Sequence, residues 1–353
     1  MVLNLKRFLL LSTLFLLQVQ PNAALAELID GDLAEEQAAE KEELHKMRNE
    51  MKDINSEIDD AMKKMGEIQR KASSSELNCR EFHLLVKEKE LDVGGGKTAH
   101  CLTYNEHLPG PTIRVMQGEP VRIILHNNSK TATSLYLHGL KLPHSVSGLP
   151  RKDQGIVAPN AGFAYQFVPE KAGTFWYYPQ IIHSKQKDNG LYGMLIVDPQ
   201  HPSTRAPQQD IALVFSQAMA KKSTQATNAT NASGSGSASN TYLVNGKTAP
   251  DIPPIELRQG ERVRMRLLNA SKEAIPLHLS GHHFEIVSTN GSDPLEPHVF
   301  RDTISLQPGD RVDADFMADN PGVWSFGSLL SSQSKGEGQA PAGYAMVVRY
   351  AGK

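Results

Sequence analysis

The sequence predicts an all-β protein, two β-sandwiches in tandem, preceded by an N-terminal α-helical coiled coil. Three observations predict it. From Glu76 onward, short runs of strand-forming residues alternate with turn signals, and the pattern starts again near Asp210. Residues 33–71 instead carry apolar residues at an unbroken 3-4 spacing, the period of a helix stripe. A chain of 353 residues, 39% hydrophobic, holds enough apolar material for two cores.

Residues 1–26 read as a Sec-type signal peptide. Lys6 and Arg7 supply the positive start, residues 8–17 are almost wholly apolar, and Ala24-Leu25-Ala26 is a small-x-small cleavage site before Glu27. An uncleaved anchor is the alternative, but the run falls short of the ~18 apolar residues of a span. No later stretch approaches that length. The mature protein is therefore expected in a periplasm or secreted, with no membrane span after signal cleavage.

In the block 33–71, Leu44, Met51, Ile58 and Met65 take heptad a positions, and Met47, Ile54, Ala61 and Ile68 take d positions. A single amphipathic helix folded onto its own domain would show the same stripe. Only Glu43 and Arg48 form a clear g-to-e charge pair, so the number and identity of partners stay open. Met47, Met51 and Met65 sit on this seam, where Met is ordinary filler; with Met62 they would otherwise suggest a soft copper(I) site.

The first sandwich is expected over 76–200. Residues 82–86, 121–125 and 195–197 are its clearest strands, separated by Gly94-Gly95-Gly96, Asn127-Asn128 and Asp188-Asn189-Gly190. The second is expected over 208–351. It contains a Ser/Thr/Ala-rich tract, 220–240, that reads as a flexible loop between two strands, with sequons at Asn228 and Asn231.

Charge narrows the function. With 37 Lys+Arg against 39 Asp+Glu, the formal charge is −2, without the concentrated basic face of a nucleic-acid binder. Two cysteines exclude a disulfide scaffold and a Cys-rich zinc protein. In an oxidising compartment Cys79 and Cys101 are expected either as a disulfide pinning the first strand to its neighbour or as two separate buried thiols.

Residues 104–113 (YNEHLPGPTI), Gly118-Glu119-Pro120-Val121, Leu137-His138-Gly139-Leu140, Gly173-Thr174-Phe175-Trp176-Tyr177 and Gly190-Leu191-Tyr192-Gly193 resemble the first domain of a multicopper oxidase. Leu243-Val244-Asn245-Gly246-Lys247, Gly260-Glu261-Arg262-Val263-Arg264, Gly281-His282-His283-Phe284 and Pro308-Gly309-Asp310-Arg311-Val312 resemble a second such domain. The resemblance covers about 76–351 and is strongest to the two-domain branch. It implies two cupredoxin-like Greek-key sandwiches and assembly as a homotrimer.

That family binds copper with a thiolate and paired imidazoles; in His-x-His both rings project from one strand face. Here the first pair aligns with Tyr136-Leu137-His138 and the second with Tyr178-Pro179-Gln180. The third motif aligns with 275–280, keeping His278 alone, and the fourth with Gly327-Ser328-Leu329 and then Gln333, a serine standing where the thiolate belongs. No other His-x-His occurs in the chain. The resemblance places His138 at a type 3 and His278 at a type 2 position, where neighbouring subunits of a trimer would bring them to one cavity. Tyr136 and Tyr178 could reach it as accessory donors, as could His144 and His183 from loops. His282 reads as packing, with His283 beside it on the opposite face.

The leading expectation is a degenerate multicopper oxidase, not an enzyme, that works as a structural, binding or assembly protein, with the coiled coil as a docking element and no resident cofactor. One alternative is a copper-binding oxidoreductase or metal carrier with a mononuclear site at His138 and His278. The other is an inactive subunit of a larger redox complex.

Overall fold

A computed structural model describes residues 42, 45, 46, 48, 49 and 52 and the segments 79–142, 155–181, 185–222, 238–292, 299–328 and 343–351. Glu42, His45, Lys46, Arg48, Asn49 and Lys52 are helical and exposed, and none is an a or d position. The expected signal peptide and the expected apolar seam of 33–71 lie outside the described residues. Leu77–Lys353 is a compact unit of its own, and every regular element described in it is a strand.

The first half contains β1 (Arg80–Gly94), β2 (Lys97–Tyr104), β3 (Gly110–Met116), β4 (Val121–Asn127), β5 (Tyr136–His138), β6 (Gly162–Phe167), β7 (Gly173–Tyr178) and β8 (Gly193–Asp198). The second contains β9 (Gln209–Lys222), β10 (Ser239–Val244), β11 (Ile255–Leu257), β12 (Arg262–Asn269), β13 (Ile275–Leu279) and β14 (Phe284–Thr289). It continues with β15 (Phe300–Arg301), β16 (Thr303–Leu306), β17 (Arg311–Met317), β18 (Val323–Ser328) and β19 (Ala345–Tyr350).

Side-chain alternation decides which face each strand buries. In β4, Val121, Ile123 and Leu125 point into the first core while Arg122 and His126 face out. In β8 both faces are apolar because both are covered. Leu195 and Val197 enter the first core, and Met194 and Ile196 enter a second cluster between the two halves.

The topology is duplicated. One sheet of the first sandwich runs β3-β8-β7-β5, and the corresponding sheet of the second runs β11-β19-β18-β13-β16. β1 lies parallel to β4 as β9 lies parallel to β12. The turns repeat as well. Asn105 and Asn245 both adopt positive φ. Each accepts a hydrogen bond at Oδ1, from the Leu85 and Val214 N–H groups respectively, and each donates from Nδ2 to the carbonyl of the residue two earlier, His83 or Ala212.

The two sandwiches are also fused. Lys97, Thr98 and Ala99 of β2 pair with Lys222, Lys221 and Ala220 of β9, making one ten-stranded sheet that runs through both halves. Trp176, Tyr192, Met194, Leu243 and Leu268 pack between the halves. The expected loop 220–240 is correspondingly shorter, since 220–222 and 239–240 are strand. Ala220 is buried in the shared cluster and pairs with Ser239.

Of the two alternatives for the cysteines, the structure has separate thiols: Cys79 and Cys101 are both free, Cys101 buried and Cys79 half-buried. Cys101 pairs with Lys89 of β1, ten residues beyond Cys79 along an extended strand. At ~3.3 Å per residue that separates them by roughly 30 Å, against the ~7 Å limit for bridging two Cα atoms. Burial among Trp176 and its neighbours pushes the Cys101 thiol up to about 11, leaving it protonated and unreactive.

Candidate functional site

His138 ends β5, and its side chain faces a small aromatic and cationic cluster. Leu137 points into the first core, so Tyr136 and His138 share the opposite face. Across the ladder, Tyr136 pairs with Tyr178 and His138 with Trp176. The Tyr136 ring meets both His138 and Tyr178 edge-on, with centroids 5.6 Å apart in each case. Lys187 Nζ lies 5.6 Å and 5.5 Å from the Trp176 and Tyr178 ring centroids, within cation–π range.

Arg311 reaches this cluster from the second half of the chain. It is 3% exposed, donates from Nη1 to the Gly309 carbonyl, and leaves Nε without a hydrogen-bond partner among the described residues. Gly139, at φ 91°, admits it: a Cβ there would lie 3.1 Å from Arg311 Nη2 and 3.0 Å from Phe175.

These surroundings fix the protonation of His138. Burial, then the positive charges of Arg311 and Lys187, push the imidazole down to about 4. Burial and the neighbouring Tyr136 push the Tyr178 phenol up to about 12. At neutral pH the phenol therefore donates to a neutral ring, and Tyr178 Oη lies 2.7 Å from His138 Nδ1. With Nδ1 accepting, the ring proton sits on Nε2.

The topological repeat explains why His278 is elsewhere. His138 on β5 and His278 on β13 occupy equivalent strands of successive sandwiches. His278 is half-buried, with Nδ1 2.9 Å from the Asp302 carbonyl oxygen and 3.3 Å from Thr303 Oγ1. Ser328 pairs with Leu277, one residue from His278. Gln180 is exposed, its N–H donating to Ser134 Oγ. His144, His183 and Gln333 lie outside the described residues. His282 is buried between Phe316, Trp324 and Tyr350, with Nε2 2.8 Å from the Tyr350 hydroxyl, a packing position as expected. Among the described residues, no three His, Cys, Asp or Glu side chains are grouped to hold a metal ion.

Sequence reasoning missed Arg311 and Lys187, and also a buried ion network beside the cluster. Arg266 donates to both oxygens of Asp210 at 2.7 and 2.9 Å, to Asp313 at 3.2 Å and to Thr174 Oγ1 at 3.0 Å. Arg114 of β3 grips Asp198 through two bonds and Asp210 through a third, tying the halves together. The alternation Arg262, Arg264, Arg266 on one strand and Asp313, Asp315 on another was the available signal.

Two family models described as multicopper oxidase match residues 85–202 and 217–332, together about two thirds of the chain. A copper resistance protein A homolog of Pseudomonas syringae pv. tomato is 33% identical over 128 residues, 36% of this chain and 21% of that protein. The multicopper oxidase mco of Staphylococcus aureus is 28% identical over 241 residues, 66% of this chain and 52% of its own length. The chain thus spans between about a fifth and about half of these relatives. The crystal structure of a blue copper oxidase from Nitrosomonas europaea superposes with a TM-score of 0.67 at 26% identity, covering 77% of this chain and 86% of that one.

Proposed function

Since the chain belongs to the multicopper oxidase family, we propose that it keeps the cupredoxin-like fold without the copper centres and acts as a binding or assembly protein. One observation carries the reading. The position of the first His-x-His pair holds one neutral imidazole whose Nδ1 accepts from Tyr178, with a buried guanidinium and an ammonium close enough to depress its basicity. Copper needs converging lone pairs or a thiolate and is repelled by fixed positive charge. The described donor set does not fit it, and Ser328 has no thiolate to offer.

The remaining parts of the reading follow from the sequence. A signal peptide places the protein in a periplasm or outside the cell, and no described helix is long and apolar enough to cross a membrane. The heptads of 33–71 serve as the docking element, and the sandwiches assemble as a homotrimer.

The test is metal content per chain, on full-length mature protein, before and after copper loading and desalting. The expected result is that His138→Ala and His278→Ala leave the retained copper unchanged, while deletion of 33–71 abolishes function in cells. Copper lost on replacing His138 or His278 would overturn the reading and establish a mononuclear site there. Stable co-purification with a ligand-complete relative would instead make the chain the inactive subunit of a redox complex.

A further inference from the structure

We propose that His83 and His126 form a binding site for a divalent copper ion on the outer face of the first sandwich. The site is separate from the inherited ligand positions: His83 and His126 stand on β1 and β4 of the ten-stranded sheet, whereas His138 stands on β5 of the other. In the parallel register His83 partners Ile124 and Leu85 partners His126, so the two rings meet diagonally on the solvent side.

The nitrogens are already close. His83 Nδ1 lies 3.2 Å from His126 Nε2, and the rings are within 5° of parallel with centroids 5.5 Å apart. Metal–imidazole bonds of ~2.0–2.1 Å put two nitrogens on one ion about 2.8–3.0 Å apart at the right angles of a tetragonal copper(II) site and about 3.3–3.4 Å apart at tetrahedral angles, and the observed separation lies between the two. Turning the two exposed rings until their lone pairs converge is the only change needed; the strands stay where they are.

The second shell is also present. Glu81 Oε1 lies 2.9 Å from His83 Nε2 and accepts its proton, while Arg122 Nη1, 3.6 Å from Oε2, holds the carboxylate. His83 therefore presents an unprotonated Nδ1, and the His126 Nε2–H fills the gap. A carboxylate behind a ligating imidazole fixes its tautomer and raises its basicity. Glu81 is a positioning residue in this arrangement. The edge strand contributes openness: His126 pairs with Gly162, which has no side chain to cover the ring. Imidazole nitrogens suit copper, and copper(II) stands highest among the divalent first-row ions. With two protein nitrogens, water completes the coordination and the ion exchanges. Binding at His126 Nε2 moves that ring's proton to Nδ1, so the neutral imidazole pair takes the ion without net proton release.

The experiment is a titration of tag-free full-length mature protein with copper(II) chloride, by calorimetry in two buffers of different ionisation enthalpy and by electron paramagnetic resonance. The expected result is one equivalent of copper with coupling to two nitrogens and no net proton release, so that the heat of binding is the same in both buffers. The double variant His83→Asn/His126→Asn should lose that equivalent while keeping its circular dichroism. Glu81→Gln should weaken it by roughly tenfold, the effect of losing a second-shell partner, and His138→Asn/His278→Asn should leave it intact. Equal stoichiometry and affinity in the His83/His126 double variant would overturn the proposal. Copper lost only on changing His138 or His278 would overturn both this proposal and the functional reading; copper lost in both pairs of variants would overturn the functional reading alone.

Discussion

His138 shows how burial and neighbouring charges set the proton affinity of one side chain. Its folded-state value, about 4, lies below the ordinary 6.5. Between those values the unfolded chain takes up a proton that the folded one refuses. His138 therefore favours folding above pH ~6.5, and this contribution is lost as pH falls through the folded value. We expect its Hε1 resonance to titrate near 4 in an NMR pH series. Arg311→Gln, which removes the second-ranked cause, should move the midpoint upward yet leave it below the ordinary value, because burial remains. A midpoint at 6.5 in the unaltered protein would contradict the site as described. Tyr178→Phe should cost about 1 kcal/mol in urea unfolding by removing the hydrogen bond to Nδ1. His138, Tyr136 and Tyr178 were legible in the sequence because local motifs mark their strands. Arg311 was not, because nothing in the neighbourhood of Gly309 says which distant surface, that of His138 and Gly139, it will meet.

At the scale of elements, strand alternation was legible wherever only one face is buried, as in β4, and less so where both are, as in β8. The β2–β9 pairing was not legible at all, since two exposed edges carry no record of each other until both sandwiches exist. The Arg ladder on β12 belongs to the same interface. In register, Arg264 faces Asp315 and Arg266 faces Asp313 on β17. Asp313 is almost wholly buried and held by Arg266 and by the Thr174 hydroxyl, which donates to it at 2.5 Å. Breaking such a pair costs more than the pair contributes, because a charge is left behind without a partner. Arg266→Met should therefore lower stability by about 3–5 kcal/mol. Joint replacement of Arg266 by Met and Asp313 by Leu should recover much of that loss. Urea unfolding of both variants checks this, and equal losses in the two would mean that the charges themselves are not what the interface depends on.

For the molecule as a whole, the shared sheet, the apolar cluster around Trp176 and the Arg114–Asp210–Arg266 bridge all cross between the sandwiches. Two halves coupled in this way should not unfold separately, since opening either exposes apolar surface and unpaired charge on both. The chain supplies its own reporters. It has two tryptophans, Trp176 in the first sandwich and Trp324 in the second, where Nε1 donates to the Asn320 carbonyl at 2.8 Å. Trp324→Phe leaves fluorescence reporting from Trp176, on a first-half strand at the shared cluster, and Trp176→Phe leaves it reporting on the second half. In each variant the fluorescence midpoint in urea should coincide with the far-ultraviolet circular dichroism midpoint, which reports on both halves together. Comparing two probes within one variant removes any stability change caused by the substitution itself. Ala220→Asp, which puts a charge into the apolar cluster beside the β2–β9 ladder, should pull the two midpoints apart. Separate midpoints without that change would mean that the ten-stranded sheet joins two independent folding units, and that what happens in the second sandwich need not be felt at His138.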